Sequence, residues 1–168
     1  INFKNTEKAT GKNALELAKI CDKVAKETGK NIAVAVQAVD IKSISQAVDI
    51  PVYSQHIDPI TYGSNTGFIM PEAVKEAGAV GTLLNHSEHQ LENEITQKSI
   101  ARAKEVGLLT IVCADTPEKG SEIVNFSPCV IAVEPPELIG GDISVSTARP
   151  EVIKDAVEKI DCPVLVGA

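Results

Sequence analysis

Three residues in this chain join reactive side chains to strand-like apolar surroundings: Glu134, His86 and Lys4. Glu134 ends the run Val130-Ile131-Ala132-Val133 and is followed by Pro135-Pro136, which deny a sheet its backbone donors and keep the chain extended. A carboxylate at a strand tip is a candidate general base. The segment Glu137-Leu138-Ile139-Gly140-Gly141-Asp142-Ile143 follows a stiff diproline and carries a flexible diglycine near its end, the build of a hinged lid that excludes water. The competing reading is a strand-end glutamate in an ordinary surface loop. His86 also closes an apolar run, and Ser87-Glu88 behind it begin a turn whose N-terminal dipole disfavours a protonated imidazole. A neutral histidine there can donate a hydrogen bond to a carbonyl oxygen; a strand-end histidine satisfied by backbone groups is the alternative. Lys4 alternates with Asn2, so a period of two places both on one face of the first predicted strand. An ammonium in that setting calls for an anionic ligand or Glu88 as partner, unless the strand frays and Lys4 stands in water. His56 reads as a histidine satisfied by backbone groups, and His89, between Glu88 and Gln90, as solvent-facing.

Short apolar runs predict strands at about 1–4, 32–37, 51–56, 80–85, 108–113, 129–134 and 163–166. Between them, Gly11–Thr28 gathers Ala14, Leu15, Leu17, Ala18, Cys21, Val24 and Ala25 on one helical face. Leu91–Val106 and Pro150–Ile160 repeat that pattern, the second opened by a proline suited to a first turn, and shorter helices fit Ile41–Val48, Pro71–Ala77 and Pro117–Val124. Strands that are continuously apolar suit a parallel sheet covered by helices. Periodicity leaves two architectures open, a doubly wound sheet and a (β/α)₈ barrel. In either, the polar residues Asn2, Lys4, Gln37, Gln55, His56, Asn85, His86 and Glu134 collect at the strand ends that face a ligand.

The 168 residues, 43% hydrophobic and 23% charged, suffice for one core, so residues 1–168 are predicted to form a single domain. A net charge of −7 argues against nucleic acid or an anionic membrane surface as partner, and an anionic substrate would have to be drawn by local groups. Cys21, Cys113, Cys129 and Cys162 are too scattered for a zinc site and read as small buried thiols of a reducing cytoplasm. No apolar run approaches the length of a membrane span, and the N-terminus lacks the pattern of a signal peptide.

Three segments together resemble the triosephosphate isomerase family: Asn2-Phe3-Lys4 at the first predicted strand, Leu84-Asn85-His86-Ser87-Glu88 at the fourth, and Ala132-Val133-Glu134-Pro135-Pro136-Glu137-Leu138-Ile139-Gly140 at the sixth. The last is similar to the archaeal form. Gln55-His56-Ile57-Asp58-Pro59 and Ser64-Asn65-Thr66-Gly67 look like the third strand and its loop. The resemblance implies a TIM (β/α)₈ barrel that interconverts dihydroxyacetone phosphate and glyceraldehyde 3-phosphate without a cofactor or metal, as a cytoplasmic homo-oligomer, a dimer or a tetramer. It implies that Glu134 shuttles the proton, that neutral His86 polarises the carbonyl, that Lys4 stabilises the enediolate and that Glu88 pairs with Lys4. Asn2, Lys4, Gly140 and Gly141 would bind substrate under the lid Pro135–Ile143. This family is itself the standard worked case of a neutral histidine and a water-excluding loop.

Against that pattern, about seven strands are present and the eighth βα unit, with its phosphate contacts, is missing, while Ile1 enters the first strand midway. An incomplete barrel, with unpaired edges on its first and seventh strands and little isomerase activity, is therefore expected. Asp142 stands where the family's lid usually has glycine, close to the expected phosphate, and Val36 stands where relatives usually have proline. Two other readings stand beside the isomerase. One is a phosphosugar epimerase, for which the sequence lacks a His/Asp metal set. The other is a non-catalytic barrel fragment that associates through residues 59–70.

Overall fold

A computed structural model describes residues 1–141 and 143–167, in two compact units. The first comprises residues 1–83 and 102–109, the second residues 84–101 and 110 onward. Asp142, whose effect on phosphate was in question, lies outside the described residues.

In the first unit the chain enters along β1 (Val34–Val36): Phe3 N–H donates to Ala35 O at 3.0 Å and Ala35 N–H to Ile1 O at 2.9 Å. The first predicted strand is thus present as a bridge at Asn2, and the strands labelled here begin one later. Helix α1 (Lys12–Thr28) follows it, then β1, α2 (Ile41–Ser45), β2 (Val52–Ser54), α3 (Pro71–Glu76) and β3 (Gly81–Leu84). Strands β1, β2 and β3 are parallel, with Val34 opposite Val52 and Tyr53 opposite Gly81. Gly29 stops α1 in the left-handed conformation that a residue without Cβ adopts freely, its N–H closing on Ala25 O. Ala14, Ala18 and Cys21 are buried as the helical face predicted, whereas Val24 is exposed, so the inward stripe is narrower than its apolar count suggested. Asp22 sits at the buried edge of that stripe because its Oδ1 accepts the amides of Asp49 and Ile50, which ties α1 to the approach of β2.

The second unit holds most of α4 (Asn93–Glu105), then β4 (Leu109–Ala114), α5 (Pro117–Ile123), β5 (Val130–Val133), α6 (Val145–Ala148), α7 (Pro150–Lys159) and β6 (Val164–Val166). Strands β4, β5 and β6 are again parallel, with Cys113 opposite Ala132 and Ala132 opposite Leu165. Thr116 caps α5 by accepting the Lys119 amide, and Pro117 supplies the first turn. Where α5 approaches α7, a Cβ on Gly120 would come within 2.5 Å of Ile160 Cδ1, so glycine sets that spacing. The continuous apolar strands are buried as expected, with Ile131, Val133 and Val112 fully enclosed. The sequence did not anticipate α6 within the lid's return. The thiols depart in part from expectation: Cys21 and Cys113 are buried, but Cys129 is exposed and Cys162 half-buried, because both stand just before a strand rather than within it.

Candidate active site

The second unit brings His86, Glu88 and Glu134 together. Strand β3 delivers His86 and strand β5 delivers Glu134, whose amide donates to Ala114 O at 3.0 Å at the tip of β4. His86 Nε2 lies 3.8 Å from Glu134 Oε2. That is too long for a hydrogen bond, yet it aims both atoms at one small volume. The residues after His86 form a single tight turn, closed by His89 N–H to His86 O at 2.7 Å, and α4 begins only at Asn93. The expected helix dipole is therefore replaced by one backbone donor: the Glu88 amide donates to His86 Nδ1 at 3.1 Å. An imidazole that accepts at Nδ1 carries its proton, when neutral, on Nε2, and so presents a donor on the Glu134 side. The Glu88 carboxylate stands 3.7 Å from Nδ1.

Glu134 is only 27% exposed, and its Oε2 is buried without a hydrogen-bond partner among the described residues. A carboxylate oxygen out of water and without donors keeps its lone pairs available for a proton. The thiol of Cys113 adjoins it: burial first, then the charge and hydrogen bond of Glu134, push that thiol far above the usual range, so it stays protonated. Beside His86, Asn85 holds a left-handed backbone at φ 56° and is buried, its Nδ2 donating to Cys113 O at 2.9 Å and its Oδ1 accepting from the Leu91 amide at 2.8 Å. The sequence marked Asn85 as a polar strand end and as part of the segment 84–88, without a role of its own; the usable signal was that asparagine tolerates the left-handed region better than other residues bearing a Cβ.

The first unit gathers Asn2, Lys4 and Gln55. Lys4 N–H donates to Asn2 Oδ1 at 3.0 Å, and Gln55 Nε2 donates to Lys4 O at 3.0 Å and to Asn2 Oδ1 at 3.3 Å. Lys4 is left-handed at φ 52°, so strand alternation ends before it and these contacts, rather than a period of two, hold it near Asn2. For a residue with a Cβ that backbone costs about 1–2 kcal/mol, which the Gln55 and Asn2 contacts must offset. His56 is buried, and a carboxylate joins its neighbours: Nε2 is 3.3 Å from Asp58 Oδ1, while Asp58 Oδ2 accepts from the Ile69 amide. His89 is exposed, as expected.

The segment after Glu134 makes one tight turn at Pro136–Leu138, reaches exposed Gly140 at φ 71° and Gly141, and returns through α6. Its two ends are joined, since Arg149 Nη1 bonds Glu137 Oε1 at 2.7 Å. No group of three or more metal-ligating side chains occurs among the described residues.

Comparison with known proteins adds four findings. The model of the triosephosphate isomerase family matches residues 1–165. A triosephosphate isomerase of Methanobacterium bryantii is 49% identical over 160 residues, 95% of this chain and 71% of that protein. Another, of Methanothermus fervidus, is 44% identical over 173 aligned positions, covering all of this chain and 78% of its own. Among solved structures, a triosephosphate isomerase of Bartonella henselae matches with a TM-score of 0.72 at 20% identity, across 98% of this chain and 79% of that one; likeness at that identity shows the fold.

Proposed function

The chain belongs to the triosephosphate isomerase family, and on that premise we propose how its own residues carry the proton transfer between dihydroxyacetone phosphate and glyceraldehyde 3-phosphate. Glu134 takes a proton from the hydroxyl-bearing carbon of the ketose, leaving an enediolate, and returns it to the neighbouring carbon, while the hydroxyl proton of the first carbon passes to the oxygen of the second, which completes the aldose. His86 donates from Nε2 to the oxygen on which charge develops, Lys4 stabilises that charge, and Asn2 orients the same oxygen. Glu88 serves twice in this reading: its amide holds His86 Nδ1 as an acceptor, and its carboxylate is the proposed partner of Lys4. Gly140 and Gly141 let the lid approach the phosphate closely.

The observation that carries the reading is the pair of His86 Nε2 and Glu134 Oε2 at 3.8 Å, with the Glu88 amide already on Nδ1. The fold is α/β, of the barrel type shared with the solved relative, with six strands and the bridge at Asn2 among the described residues. No helix among them is long and apolar enough to cross a membrane. Cytoplasmic location and assembly of like copies through residues 59–70 complete the proposal. Exposed Tyr62 and Phe68 support that contact surface.

The test is a coupled assay on glyceraldehyde 3-phosphate. Removing the base with Glu134→Gln should lower turnover by about 10²–10⁴-fold. A variant as fast as the unaltered chain overturns the role of Glu134.

A further inference from the structure

We infer that Asn85 is a positioning residue that sets the spacing and the tautomer of the His86–Glu134 pair. The inference rests on the isomerase reading above but adds a residue that reading does not need. Asn85 is buried and spends both ends of its amide. Nδ2 donates to Cys113 O at the end of β4, and Oδ1 accepts from the amide of Leu91, beyond the His86 turn. One side chain therefore fastens the start of the His86 turn to two places within the second unit: the end of β4, whose Cys113 thiol adjoins Glu134, and the far end of the turn that supplies the Glu88 amide.

The backbone makes this arrangement specific. At φ 56° Asn85 turns the chain out of β3, and His86 leaves the strand in the direction that brings Nε2 to within 3.8 Å of Glu134 Oε2. Glycine adopts that backbone without strain but has no amide. Alanine loses the amide and strains the backbone as well. Aspartate keeps the acceptor for Leu91 but replaces the donor with an oxygen facing Cys113 O. Comparing the three variants separates turn geometry from anchoring.

Two readouts follow. In steady-state kinetics, Asn85→Gly should lower kcat by about 10–100-fold with KM changed little, since a small misplacement of an electrophile acts on the transition state. Asn85→Asp should fall between it and the unaltered chain. In ¹⁵N spectra of the imidazole side chains, the unaltered protein should show His86 with Nδ1 unprotonated and Nε2 protonated when neutral, and Asn85→Gly should show both nitrogens averaging between tautomers. A purely structural role would lower the melting temperature without moving either readout. Normal kcat with an unmixed tautomer in Asn85→Gly would overturn the inference. Failure of the isomerase reading looks different: Glu134→Gln would have no effect on turnover, while the spectra would still report whether Asn85 holds His86.

Discussion

At the scale of single residues, position relative to strand ends carried most of the information. Glu134 and His86 were legible because each interrupts an apolar run where a sheet must stop, and a charged or titratable group at that point has little reason to be there for packing. What the sequence did not disclose was which backbone group would meet each of them. The Nδ1 partner of His86 is an amide two residues on, and the anchor beside it reaches Cys113, twenty-eight positions away from Asn85. Such contacts depend on left-handed turns that no periodicity encodes. The placement of Glu134 leads to a direct expectation. Glu134→Asp shortens the side chain by one methylene and withdraws its oxygens from the point where Nε2 also converges, so turnover should fall by about 10²-fold while KM moves little. Progress curves with dihydroxyacetone phosphate measure both, and a large rise in KM at unchanged kcat would assign Glu134 to binding.

At the scale of elements, helices and strands were legible nearly to their ends, since apolar spacing, prolines at first turns and terminal glycines act locally. Errors arose where tertiary contacts decide. The stripe on α1 leaves out Val24 and includes Asp22, the latter because two amides near β2 need an acceptor. Hydrogen bonding to Lys26, foremost, holds the Asp22 carboxyl below its ordinary range, helped by the Asp49 and Ile50 amides. A depressed carboxylate stabilises the fold above its unfolded pKa of about 3.9 and loses that contribution as pH falls through its lower folded value. The melting temperature of Asp22→Asn should therefore lie below that of the unaltered chain at neutral pH, and the gap should close below about pH 4. A gap that persisted into acid would assign the effect to packing. The lid segment offers a second case. Its ends are joined by the exposed Arg149–Glu137 pair, and such pairs contribute about 0.2–1 kcal/mol. Arg149→Met should thus change kcat/KM by no more than about fivefold, with an effect that vanishes at high salt. A larger, salt-independent loss would place Arg149 against substrate.

At the scale of the whole molecule, alternating strand and helix left barrel and doubly wound sheet undecided, because both use the same parallel βα unit and differ only in strand order. Strand neighbours follow chain order within each unit, and the shared fold of the solved relative resolves the choice in favour of the barrel type. That architecture bears on association. Residues 59–70 present an apolar surface, with Phe68 58% exposed on a loop whose base is fixed by the Arg102 guanidinium bonding Ile60 O at 2.9 Å. An aromatic side chain held out on an anchored loop gains from burial against a second copy, and its loss should weaken that contact by about tenfold or more. In sedimentation, Phe68→Ser should therefore shift a discrete oligomer towards monomer at a given concentration. An oligomer that Phe68→Ser left intact would remove the loop at 59–70 from the interface.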